Sequence, residues 1–182
     1  MQKWKTRHSE YLYETPFGNL RKEACELPDG QLIAPVYINE FEDWVNAVVL
    51  TKDQELVLVE QYRHGGGEFY LEVPAGKLEA EETGEVGILR EVLEETGYTS
   101  LAPPVLLGDF MVNPAVQTNK IKTYLLVDAF KAQDPVLDAT EELKTVLFGF
   151  AGFGSQLQSG EVKTQLFTAA AYYMAKDYLQ EN

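Results

Sequence analysis

Seven glutamates and a single arginine fall between Glu79 and Glu95, in a stretch where apolar residues recur at helical spacing. Val86, Leu89, Val92 and Leu93 fall on one side of a helix from about Thr83 to Thr96, and Gly97 is its stop signal. One side of such a helix must be buried, while the other is crowded with carboxylates. Glu91 and Glu95 stand one turn apart, and Glu91 and Glu94 three residues apart, so their side chains can converge. Like charges at this spacing cost about 0.2–0.5 kcal/mol per pair in water and far more where water is excluded. Any fold that accepts this helix must leave the acidic side in solvent, the commonest outcome for a charge run, or give it a cation.

The surrounding sequence supplies a sheet. β-rich runs appear at QLIAPVYI, WVNAVVLT and ELVLVEQY, then after the helix at PVLLGDFMV, KIKTYLLVDAF and KTVLFGF, and a final helix runs from about Gln165 to Leu179. The stretch EVPAGKLE brings a turn with a proline and a glycine up to the acidic helix. Gly87, inside the helix, implies close packing of the helix on the sheet. These elements predict an α+β protein with a mixed sheet. Residues 1–40, with Trp4, Tyr11 and Tyr13 among polar groups, form a β-rich segment ahead of a domain at 41–182, and no repeat or flexible linker divides the chain.

Composition narrows the chemistry. Acidic residues number 29 against 15 basic ones, a formal net charge of −14, and no Lys/Arg cluster offers a path for a nucleic acid. Small phosphates stay open to such a chain if a local cation reverses the field. One cysteine, Cys25, excludes an internal disulfide or a thiolate cluster, and two histidines, His8 and His64, leave carboxylates as the plentiful metal ligands. Oxygen ligands select a hard cation. The first residues lack the apolar core of a signal peptide and no run approaches a membrane span, so the expectation is a soluble cytoplasmic protein without membrane partners.

Residues 76–98, GKLEAEETGEVGILREVLEETGY, resemble the Nudix box, G-x5-E-x7-R-E-U-x-E-E-x-G-U with U a bulky apolar residue. Gly76, Glu82, Arg90, Glu91, Val92, Glu94, Glu95, Gly97 and Tyr98 fill every specified position, with Tyr98 as the last U. The resemblance implies an α/β/α sandwich around a mixed sheet, and a hydrolase that uses Mg²⁺, with Mn²⁺ as the substitute, to cleave a diphosphate linkage. Glu91 and Glu95 match the principal metal ligands, Glu94 an additional one, and the carbonyl of Ala75 a backbone ligand. Arg90 is similar to the residue that orients the helix carboxylates. On this reading the repulsion along the helix is a preformed place for cations.

Upstream, EQYRHGGGEFYLEVPAG resembles the branch that cleaves ADP-ribose and other nucleoside diphosphate sugars. The resemblance implies that Arg63 contacts phosphate or sugar and that Glu72 belongs to the metal or substrate shell. Pro114 stands 16 positions after Tyr98, the spacing associated with ADP-ribose pyrophosphatases, but the loop continues as NPAVQTNK rather than Pro-Gly and an acid. Asn113, Gln117 and Asn119 replace that pattern and favour a broader nucleoside diphosphate sugar hydrolase. The general base in this branch is a glutamate on a late loop; TEELKTV offers Glu141, with Glu142 as the fallback. Trp4, Tyr11, Tyr13 and Phe69 could stack on a base, although core or interface packing is the commoner fate of such rings. The branch also implies a homodimer, with residues 1–40 dimerising or swapped. The alternatives are a nucleoside triphosphate or dinucleoside polyphosphate hydrolase, and a non-catalytic nucleotide-sugar sensor.

Overall fold

The computed structural model describes residues 1–182 as two compact units, one of residues 1–43 with 110–121 and one of residues 44–109 with 122–182. The first unit contains an antiparallel meander of β1 (Lys5–Thr15), β2 (Gly18–Glu26) and β3 (Leu32–Glu40), in that order across the sheet. Every residue of β1 is exposed. Burial therefore contributes little to this strand, which is held by its ladder and by pairs such as Lys22–Glu10 at 2.8 Å and Arg7–Glu26. Residues 113–119 dock on β3: Asn39 N–H donates to the Val116 carbonyl at 2.8 Å, and Thr118 N–H donates to the Asn39 carbonyl at 3.2 Å.

The second unit is organised by β4 (Trp44–Thr51) and β5 (Glu55–Arg63), paired antiparallel at Val49↔Val57 and Leu50↔Leu56. β6 (Glu68–Glu72) returns along β5, and β7 (Ala75–Lys77) pairs with β4. Helix α1 (Gly84–Thr96) follows, then β8 (Tyr98–Thr99), β9 (Val105–Met111), β10 (Lys120–Lys131), β11 (Leu143–Gly149), α2 (Phe150–Ser159) and α3 (Leu166–Glu181). The eight-stranded sheet runs β11-β5-β4-β10-β8, with β6 beside β5, β7 beside β4 and β9 beside β10.

Alternation along β4 explains the layers. Val45, Ala47 and Val49 meet Ile88 and Val92 of α1, while Val48 and Leu50 cluster with Phe153 of α2 and Ala171, Tyr172 and Ala175 of α3. A strand apolar on both faces is stable only between two covering layers, which puts the sheet between α1 and the α2/α3 pair.

Helix α1 keeps the limits that its sequence predicts. Thr83 is the N-cap, its side chain accepting from Val86 N–H at 3.4 Å, and Gly97 closes the helix at φ 75°. A Cβ at Gly97 would stand 2.1 Å from the Gln133 carbonyl oxygen, so only glycine fits the turn. The buried face is shifted from the expected one: Val86 is exposed, and Ile88, Val92, Glu95 and Thr96 are buried. Gly87 packs closely, but against Leu78 and Glu82 of the loop before the helix rather than the sheet. The last helix is the expected one, Gln165 being its N-cap. Helix α2 was not expected, and KTVLFGF ends as a strand at Gly149, with Phe150 opening the helix.

Candidate active site

The glutamates of α1 are organised by one guanidinium. Arg90 Nε and Nη2 donate to the two oxygens of Glu82 at 3.0 and 2.9 Å, and Nη2 also donates to the Lys77 carbonyl at 3.1 Å. Arg90 Nη1 donates to Glu91 at 2.9 Å and to Glu94 at 3.1 Å. Such a network holds a cation firmly: Arg90 is pushed well above the ordinary arginine range, chiefly by its bonds to Glu82, and Glu82 is held below the usual carboxylate range by the same contact. Arg90 thus ties the loop before α1 to the exposed side of the helix.

Glu95 has a different environment. It is 5% exposed, and its carboxylate accepts from the backbone N–H of Ala75 at 3.0 Å. Burial pushes its carboxyl up to about 8; the charges of Glu91 and Glu141 add to the rise, while the Ala75 amide and Arg63 oppose it. Glu91 is pushed up as well, first by burial, with Arg90 opposing and Glu94 and Glu141 contributing. Gly76 makes room for Glu91, since a Cβ there would stand 2.0 Å from the Glu91 carboxyl carbon. A buried carboxylate raised further by neighbouring carboxylates, as Glu95 is, gains free energy from added positive charge.

No three His, Cys, Asp or Glu side chains are gathered into a ready-made metal cage. Glu91 and Glu94 are bonded to Arg90, and Glu95 to Ala75 N–H. Ala75 meets Glu95 through its amide hydrogen. The donor set still fits a hard cation, because it consists of oxygens and carries excess negative charge.

Arg63 and Glu72 lie on the facing hairpin of β5 and β6. Arg63 donates from Nε to one oxygen of Glu72 at 3.0 Å and from Nη2 to the other at 2.7 Å. Glu72 is fully buried, whereas the Arg63 side chain is 47% exposed and lies within the field of Glu95. Arg63 is thus anchored on Glu72 through Nε and Nη2. Gln165 also donates to Glu72, at 2.6 Å, a contact that local sequence reasoning had no means of finding.

Glu141 lies on the exposed loop before β11 and accepts from Asp138 N–H at 3.2 Å, yet its charge acts on both Glu91 and Glu95. Glu142, also exposed, follows it. Of the candidate stacking rings, Trp4, Tyr11 and Tyr13 are exposed in the first unit, where the Tyr11 hydroxyl donates to Glu40 at 3.0 Å; Phe69 is exposed on β6, edge-on to Tyr62. None is a core residue. Asn119 of the first unit is buried with neither amide atom bonded, and Gln117 forms a bridge to Asn39.

Comparison with known proteins gives this geometry its relatives. The model of the nucleoside diphosphate sugar hydrolase N-terminal domain matches residues 4–38. The chain is 36% identical to a methanol dehydrogenase activator of Bacillus methanolicus, over 52% of this chain and 50% of that one. It is 34% identical to an ADP-ribose pyrophosphatase of Bacillus subtilis (strain 168), over 53% of this chain and 51% of the other. An ADP-ribose pyrophosphatase of Mycobacterium tuberculosis is 28% identical over 67% of this chain and 58% of its own. The chain thus spans roughly half the length of the curated relatives it matches. A solved structure described as an ADP compounds hydrolase superposes at a TM-score of 0.84, covering 100% of this chain and 96% of that chain at 17% identity. The shared fold is the expected α+β sandwich with its mixed sheet. The NUDIX domain model matches residues 41–161, and the chain belongs to the Nudix family.

Proposed function

We propose that this protein hydrolyses the diphosphate linkage of nucleoside diphosphate sugars, ADP-ribose among them, to a nucleoside monophosphate and a sugar phosphate, with Mg²⁺ as cofactor. The observation that carries the reading is the half-exposed Arg63, anchored on Glu72 and lying within the field of the buried Glu95, whose carboxyl is raised by burial and by the Glu91 charge. The match of residues 4–38 to a nucleoside diphosphate sugar hydrolase segment and the two relatives named ADP-ribose pyrophosphatase support the substrate class.

Glu91 and Glu95 would hold the cation, with Glu94 and the Ala75 carbonyl as further ligands and Mn²⁺ as its substitute. A divalent cation supplies there the positive charge that a diphosphate needs and acidifies water. Arg90 orients the carboxylates, and Arg63 holds the diphosphate from the side opposite α1 while Glu72 orients Arg63. Glu141 takes the proton from the attacking water, Glu142 being its substitute. The 113–119 segment, without Pro-Gly and an acid, fits acceptance of several sugars.

We assign the β1–β3 sheet, where every residue of β1 is exposed, Tyr11 and Tyr13 among them, to a homodimer contact. Light scattering reads the mass directly, and a monomer at micromolar concentration removes this assignment. The activity is tested by chromatography of products from ADP-ribose, UDP-, GDP- and ADP-sugars and nucleoside triphosphates in Mg²⁺. Monophosphate plus sugar phosphate from several sugars is expected. Pyrophosphate released from triphosphates would replace the reading with a triphosphatase, and tight binding without turnover would replace it with a sensor.

A further inference from the structure

Strand β6 is fixed along both edges. On one side it pairs with β5, Val59 opposite Glu72 and Gln61 opposite Tyr70. On the other, the segment leading into α3 and the first turn of α3 bond to Leu71 and Val73. Leu71 N–H donates to the Lys163 carbonyl at 2.9 Å, the Thr164 hydroxyl donates to the Leu71 carbonyl at 2.6 Å, and Val73 N–H donates to the Thr168 hydroxyl at 3.2 Å. The backbone of Glu72, between Leu71 and Val73, has little freedom left.

The Glu72 carboxylate is fully buried, a position tolerated only where its oxygens are supplied with donors. Oε1 accepts from Arg63 Nε at 3.0 Å. Oε2 accepts from Arg63 Nη2 at 2.7 Å, from Gln165 Nε2 at 2.6 Å and, at the limit of bonding, from Gln61 Nε2 at 3.5 Å. Gln165 is thus the one short contact to this carboxylate from outside the hairpin. Its own position makes the contact more telling. Gln165 is the N-cap of α3, where a side chain normally caps the helix, and it makes no capping bond. Its amide is directed to Glu72 instead.

Resting on the substrate reading above, we propose that Gln165 is a positioning residue that sets, through Glu72, the plane in which Arg63 presents its free Nη1 edge to the diphosphate. A carboxylate held by backbone alone can still turn about its last side-chain bond, and a guanidinium forked onto it turns with it. The Gln165 amide, bonded to the same Oε2 that accepts from Arg63 Nη2, opposes that rotation from outside the hairpin. Arg63 meets the diphosphate before and during reaction alike, so loosening it weakens binding in both states and appears in KM more than in kcat.

The test is a double-mutant cycle on the full chain with ADP-ribose and Mg²⁺. Gln165→Met, similar in length but without a donor, should raise KM about 10-fold with kcat within about twofold of wild type. Arg63→Gln should raise KM about 100-fold, and adding Gln165→Met to it should change KM no further. An equal fold-change in both backgrounds, or no change in either, overturns the positioning role. If Gln165→Met does not fold, Gln165→Ala is read in the same way, and failure of both to fold assigns Gln165 to structure alone and overturns the proposal. An unchanged KM in Arg63→Gln fails at a different place, removing the diphosphate contact on which the proposal rests.

Discussion

Glu95→Gln lowers turnover by on the order of 10³-fold, keeps the fold, and in EDTA makes the protein more stable than wild type above neutral pH. The rate follows from deleting one ligand charge at nearly constant shape: about 4 kcal/mol of lost transition-state stabilisation is a factor near 10³. The fold survives because the Gln side-chain oxygen can still accept from Ala75 N–H, as the carboxylate does at 3.0 Å. Wild-type activity in Mg²⁺ would falsify the assignment of Glu95 to the metal.

The stability gain has a definite direction with pH. Burial raises the Glu95 carboxyl from 4.5 to about 8, the Glu91 and Glu141 charges add, and Ala75 N–H and Arg63 oppose. Folding therefore takes up a proton between those values. Stability that is fully present below 4.5 is lost as pH rises through 8. At ~1.4 kcal/mol per pH unit the loss approaches about 5 kcal/mol above pH 8. A glutamine does not ionise and escapes it. Urea unfolding in EDTA from pH 5 to 8.5 should show the wild-type midpoint falling away from that of the variant as pH rises. Mg²⁺ should restore the wild type more at pH 8 than at pH 5. Parallel curves would mean that Glu95 is not a buried acid in search of charge.

Helix α1 was legible because its signals are local: a cap at Thr83, apolar spacing, and Gly97 at the end. Its buried face was less so. Glu95 lies on that face because Ala75 N–H from β7 meets it, a partner 20 residues away. Helix α2 escaped notice for a related reason. Gly152 and Gly154 lower its helical propensity, and its justification is tertiary, Phe153 being fully buried and Gly154 leaving room for the Tyr172 hydroxyl.

The same division runs through the site. The carboxylate spacing on α1 is written in consecutive residues, and so is Arg90 within reach of it. How the charges are satisfied is not, because Arg90 also bonds Glu82 and the Lys77 carbonyl, and so turns Glu91 and Glu94 toward itself. Gln165 was invisible because it meets Glu72 across 93 residues. No periodicity connects them.

Glu141→Gln is expected to lower kcat by about 10²–10⁴-fold, the range for a general base, while Mg²⁺ still stabilises the protein. The loop that carries Glu141 is tied at its start to the end of α1, Ala132 N–H to the Gly97 carbonyl and Val136 N–H to the Glu94 carbonyl, both at 2.8 Å. At its other end it enters β11 at Leu143. Between these anchors Glu141 exchanges bonds with Asp138, its N–H donating to the Asp138 carbonyl at 2.9 Å and its carboxylate accepting only the Asp138 amide, and a turn of the loop would bring that carboxylate toward the glutamates whose pKa it raises. That electrostatic link gives a second readout independent of rate. Removing the Glu141 charge should lower the Glu95 pKa, so the loss of stability above pH 8 in EDTA should shrink in Glu141→Gln. An unchanged rate moves the base, first to Glu142. A reduced rate with an unmoved stability curve would mean that the carboxylate stands outside the field of Glu95, and that the loop rather than the base was damaged.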